Sequence, residues 1–242
     1  MSSASLKVSL VLLGNFMPDE FMPKKLVEGG VISKKAGELA SFITLMPSQA
    51  VEFSLPWGEV SVIHNKFQVT SIEAPHIRIC DLVIKALMEL SPKSKVNQFG
   101  INIDYEYDFK SFEERNKFGL RVAPPSAWGN WGDKVSSSIN PLNAGTPSQG
   151  GLVTMQMRLP FELDGIYGWR DMVVAPSQTI KTGVLLRSNH HHQLDPLNNE
   201  LSVPVLYSED GKRSLLDSLS KKFDNSIDEA VSICEGIINH VN

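Results

Sequence analysis

Between Phe99 and Phe109 the chain alternates without a break. Phe99, Ile101, Ile103, Tyr105, Tyr107 and Phe109 fall on one side, and Gly100, Asn102, Asp104, Glu106 and Asp108 on the other. Successive side chains of a strand point to opposite faces, so the pattern predicts one strand with an apolar face and an acidic face. Such a strand belongs in an antiparallel or mixed sheet that is covered on one side.

The rest of the pattern surrounds that strand with others. Val8 to Leu13 is a nearly continuous apolar run stopped by Gly14-Asn15, which predicts a central strand covered on both faces. Met17 to Gly30 carries helix-like pieces opened by Pro18 and Pro23, and Ser33 to Phe42 reads as a short helix. A meander follows: Val51, Phe53 and Leu55 alternate, Pro56-Trp57-Gly58 turns, Val60 and Val62 alternate, and Asn65-Lys66 turns before Phe67 and Val69. From Pro75 to Leu90 the polar positions Arg78, Asp81, Lys85 and Glu89 make one thin stripe, so this helix is buried on most sides. It is the element expected to cover Ile101, Ile103 and Tyr105.

Lys110 to Phe118 reads as a short helix. Ala123 to Gly151 is rich in Pro, Gly, Ser and Asn, and a structureless loop of that length is functional or mobile. Beyond it, Val153, Met155, Met157 and Leu159 alternate with Thr154, Gln156 and Arg158, and further strands are expected over Trp169–Val174 and Ile180–Ser188. Leu215, Leu216, Leu219, Phe223, Ile227, Val231, Cys234 and Ile238 then form the apolar stripe of a long terminal helix. The fold expected is α+β: a mainly antiparallel sheet built from two strand-rich halves, with a buried central helix and the long C-terminal helix on one face. The divisions are 1–122, a loop over 123–151, and 152–242, together one compact unit. Each half is a run of strands followed by a core helix, as a duplication would leave, without evident identity between the halves.

Composition narrows the setting more than the chemistry. The chain has 242 residues, 42% hydrophobic and 21% charged, with a net charge of -4 that argues against a dedicated nucleic-acid binder. Cys80 and Cys234 both sit in apolar helical patterns, so neither a disulfide framework nor a cysteine zinc site is expected. Val8–Leu13 is too short for a signal-peptide core or a membrane span, and a soluble cytoplasmic protein is expected.

Three features offer chemistry. Asp104, Glu106 and Asp108 share a face at intervals of about 7 Å, twice the rise per residue. They are met either by solvent and the cations Arg158, Lys181 and Arg187, or by a divalent metal or an acid/base role. One straight strand cannot converge enough oxygens on a hard cation alone. Asn189-His190-His191-His192-Gln193-Leu194-Asp195-Pro196 is the second feature. If the preceding strand continues, His190 and His192 share a face as two zinc-binding imidazoles would, with Asp195, His64 or His76 needed to complete the shell. A strand-end cluster of exposed histidines explains the run equally well. Third, Trp128 and Trp131 in the polar loop either anchor a partner or form the loop's own small core. No G-x-S-x-G elbow and no phosphate-binding loop occurs, and Gly145–Gly151 lacks the strand–loop–helix context of one.

Several short pieces, taken in order, resemble a bacterial family of proteins of unknown function. They are Leu12-Leu13-Gly14-Asn15-Phe16 with Pro18 behind it, Ala74-Pro75 leading into Asp81-Leu82-Val83, Gly100-Ile101-Asn102, and Asn189 with His191 before Leu194-Asp195-Pro196. The resemblance spans most of the chain and implies a shared whole fold, with no activity attached. The family's last piece reads Asn-Asp-His-Tyr, so His190 and His192 depart from it and only His191 matches.

The leading functional expectation is a non-catalytic cytoplasmic interaction or adaptor module, a subunit of a larger bacterial assembly, with a protein partner or self-association and Trp128 and Trp131 as binding residues. The alternative is a metal-dependent or acid/base enzyme. It would use His191, Asp104 and Asp195, with His190 and His192 as metal ligands. A second alternative is a small-ligand-binding protein.

Overall fold

The alternating segment is a strand, β6 (Lys95–Asp108), and it pairs antiparallel with β1 (Ala4–Asn15) on one side and β9 (Gly183–Leu194) on the other. The computed structural model describes residues 4–143, 146, 149–163, 166–194 and 209–241. In them the strands make one nine-stranded antiparallel sheet. From β1 outward lie β5 (Lys66–Ser71), β4 (Gly58–Ile63), β3 (Ala50–Leu55) and β2 (Ser41–Met46) at one edge. From β9 outward lie β8 (Ile166–Pro176) and β7 (Met155–Leu163) at the other.

The α+β architecture read from the sequence is the one observed. The topology also repeats itself. β1 leads to an edge, a meander returns to pair with β1, and the helix α3 (Ile77–Lys85), closing in a wide turn over Ala86–Leu90, follows. β6 does this with one strand fewer among the described residues, through β7, β8 and β9, so β2 has no counterpart there, before the terminal helix α6 (Glu209–Val241). β1 and β6 pair antiparallel at the centre, so the two halves are arranged about an approximate two-fold. This is the arrangement a duplication would produce.

The apolar face of β6 is buried as expected: Ile101 and Ile103 are 0% exposed and Tyr105 9%. Its cover is not α3. α6 lies along β6 and reaches β9, whereas α3 packs on β5, β1 and α6. Chain order places α3 next to β6, but register sets a helix over the strands it follows in space. β1 is likewise central but covered on one face: Val8, Leu10 and Leu12 are buried while Ser9 and Val11 are half-buried and Leu13 is exposed. Where Gly14 opens the bulge against β6, an added Cβ would stand 1.8 Å from the Lys95 carbonyl oxygen, so only glycine fits there.

Elsewhere the boundaries shift. In the chain of short helices α1 (Pro23–Glu28) and α2 (Lys34–Glu38), the second ends early, and the end of the expected Ser33–Phe42 helix is already β2. α4 (Phe112–Val122) starts at Ser111, whose hydroxyl accepts from the Glu114 N–H at 3.1 Å, while the Glu114 carboxylate accepts from the Lys110 N–H. The stretch 123–151 is not structureless: a tight turn at Pro125–Trp128 runs into α5 (Asn130–Ser138).

Candidate functional site

β9 is the strand around which the polar residues gather, because it is hydrogen-bonded on both sides and its sequence is histidine-rich. In register, His192 lies between Phe99 of β6 and Gly168 of β8, His191 between Gly100 and Trp169, and His190 between Ile101 and Arg170. Alternation therefore puts His190 and His192 on the helix-covered face and His191 on the other, as the sequence spacing requires. The histidines are not an exposed strand end: His190 and His192 are each 3% exposed.

On the covered face, the His192 ring stacks on Phe99 with centroids 4.5 Å apart and meets Phe161 at 5.0 Å. Gly168 makes room for this, since a Cβ there would stand 2.6 Å from the Phe161 ring. Burial pushes His192 down to about 3, helped by the charge of Lys222. His190 is held down to about 4, first by burial and then by Arg170, with Glu229 acting the other way. Arg170 in turn forms a two-pronged ion pair with Glu229 of α6, Nη1 donating to Oε1 at 2.6 Å. A seam of buried side-chain atoms lacking a hydrogen-bond partner runs here: Ser188 Oγ, His190 Nε2, both ring nitrogens of His192 and Ser218 Oγ. The charges nearest the two rings include the cations Arg170 and Lys222, which repel a metal ion.

On the other face, His191 stacks on Trp169 at 3.9 Å, and the Arg158 guanidinium lies 4.6 Å from the same ring. Arg158 is fixed by Asp171, donating from Nε at 2.6 Å and Nη2 at 2.7 Å. That pairing is the main reason the Asp171 carboxyl sits below its usual range. Burial lowers His191 as well.

The acidic face is settled by hydrogen bonding more than by cations. Asp104 receives both prongs of Arg187, at 2.6 and 2.8 Å. Glu106 accepts from the Ser177 hydroxyl at 2.6 Å and from Thr179 at 2.9 Å, and Asp108 accepts from Thr182 at 2.5 Å. Of the three cations considered, only Arg187 pairs with this row; Arg158 goes to Asp171, and what Lys181 contributes is its carbonyl, to Arg115 at 2.9 Å. Asp104 pairs with Arg187 in register and His191 with Gly100, four positions along β6, or roughly 13 Å apart at the strand rise. The candidate acid and base share a face without meeting. Asp195 lies outside the described residues. His64 sits at the β4–β5 turn with Nδ1 3.3 Å from the Phe16 carbonyl, and His76 precedes α3, so neither approaches β9. Among the described residues, no three His, Cys, Asp or Glu side chains converge as a metal's ligand set would.

The tryptophans do come together. α5 is pressed onto the Pro125–Trp128 turn at Gly132, where a Cβ would stand 2.0 Å from the Pro125 carbonyl oxygen. Between α5, the C-terminal end of α4 and the approach to β7 lies a cavity of about 280 Å³, lined by Leu120, Trp128, Trp131, Val135, Leu152 and Met155 among others. Trp128 is 59% exposed and Trp131 65%, so they form its rim and not a small core. Sequence reading missed Leu120, Val135, Leu152 and Met155; the four-residue step from Trp131 to Val135 was the available signal. Trp169 and Asp171 were missed, and Arg158 was assigned to the acidic face, because only the β7–β8–β9 register brings all three to His191.

Compared with protein-family models and with curated proteins, the chain matches none.

Proposed function

We propose that this chain is a non-catalytic protein-interaction module whose recognition element is the apolar cavity rimmed by Trp128 and Trp131. The observation that carries the reading is the cavity's size and lining. Pockets for small molecules usually run from about 300 to 1,000 Å³. At about 280 Å³ this one stands at the lower end of that range, with room for one large aromatic side chain. Buried aromatic anchors set in such pockets dominate binding energy between proteins. A bacterial cytoplasmic setting, within a larger assembly, goes with this reading, as do the free thiols Cys80 and Cys234, both buried.

The test is a peptide-display selection on the full chain. Peptides carrying one Trp, Phe or Leu anchor should enrich, and their binding should shift the tryptophan emission. Ala123→Trp, which fills the cavity from its rim, should weaken them at least tenfold. Failure to enrich such peptides, or equal binding to a folded Ala123→Trp chain, would sink the proposal.

A further inference from the structure

The edge strand β2 pairs with β3 and, among the described residues, with nothing on its other side. An edge strand presents a row of unpaired N–H and C=O groups, and proteins blunt such edges with charge, proline or short length. The opposite edge, β7, carries Arg158, Pro160 and Glu162. β2, six residues long, carries neither charge nor proline within Ser41–Met46, and from Leu39 to Val51 the sequence holds no charged residue. Phe42, Ile43, Leu45 and Met46 are 48%, 55%, 49% and 52% exposed, so four of the strand's six side chains are apolar and half bare.

Its geometry says what fits there. The register shifts between Phe42 and Thr44, so Ile43 is an extra residue in a bulge. Phe42 pairs with Phe53 and Leu45 with Val51, both buried, which puts Phe42 and Leu45 on the helix-covered face. Thr44 pairs with Glu52 and donates to it at 3.3 Å, on the other face, beside Met46 and Ser41. Without the bulge, Phe42 and Leu45 would point apart. With it, the strand reads the same from either end about Thr44.

We infer that β2 is a dimerisation edge that takes the β2 of a second copy of this chain in antiparallel pairing. A two-fold through Thr44 sets Phe42 of one copy against Leu45 of the other on the covered face, Thr44 against Thr44, and Ser41 against Met46. Threonine pairs and aromatic–aliphatic pairs are favourable cross-strand neighbours, and the contact places no like charges opposite each other. The two-fold makes the contact isologous, so pairing closes at two copies and consumes the bare edge. This surface lies at the far edge of the sheet from the tryptophan cavity and does not rest on that proposal.

Sedimentation velocity on the full chain tests it. The wild type should sediment at twice 26.8 kDa, and Leu45→Lys at 26.8 kDa while keeping its far-ultraviolet circular dichroism and a cooperative thermal transition. Residues facing each other in an antiparallel pair have Cα atoms about 4.5–5.5 Å apart, within disulfide range. Thr44→Cys should therefore give a covalent dimer on mild oxidation, whereas Ser61→Cys should not, the native thiols being buried. A wild type that sediments at 26.8 kDa across a concentration series, as it would if the edge served another protein's strand, overturns the inference. So does a dimer that Leu45→Lys leaves intact, or a Thr44→Cys chain that stays uncrosslinked.

Discussion

His190 and His192 carry their shifts because burial removes the water that would solvate an imidazolium, and because Arg170 and Lys222 stand beside them. Their folded values, about 4 and about 3, lie below the ordinary 6.5, so the unfolded chain binds these protons first. The contribution to stability is therefore complete above about pH 6.5 and is lost as the pH falls from there toward 3. The unfolding free energy, measured by urea denaturation from pH 7 down to pH 4, should fall by an amount on the order of a few kcal/mol. His192→Phe, which keeps a ring between Phe99 and Phe161, should flatten part of that fall. An unaltered pH slope in the variant would contradict the account. Strand alternation was enough to place His190 and His192 on one face. Their burial was not legible, since it depends on β6 and β8 flanking β9 and on α6 lying above, none of which a single segment encodes.

At the scale of elements, α6 is the lid of the central strands. Its stripe of Leu215, Leu219, Phe223 and Ile227 was readable from three- and four-residue spacing, and all are buried. Which strand it covers was not, because helical periodicity fixes a face and leaves the opposing element unspecified. Phe223 is 0% exposed, and Phe223→Ala should cost about 3–5 kcal/mol in equilibrium denaturation. A loss below about 1 kcal/mol would mean that α6 is not packed as described. α5 escaped sequence reading for a different reason. Its serines favour local bonding to the backbone, Ser136 donating to the Gly132 carbonyl at 3.0 Å and Ser138 to that of Val135 at 2.7 Å. Such residues count against a helix in isolation. Contact with the Pro125–Trp128 turn outweighs that propensity.

Across the whole molecule, the two halves share one sheet through the β1–β6 ladder, which runs from Ala4 opposite Tyr107 to Asn15 opposite Lys95. Separation of the halves would break the longest strand pairing among the described residues, so they should unfold together. Trp57 reports on the first half and Trp169 on the second; single-tryptophan chains retaining either should give coincident denaturation curves. Two separated transitions would make the halves independent units. The central claim, that the cavity beside α5 is where this chain recognises a partner, is tested most directly by hydrogen exchange on the full chain with and without a selected aromatic-anchored peptide. The account predicts new protection concentrated in α4, α5 and residues 152–156. Protection centred on His191 and Trp169, with α5 unchanged, would contradict it.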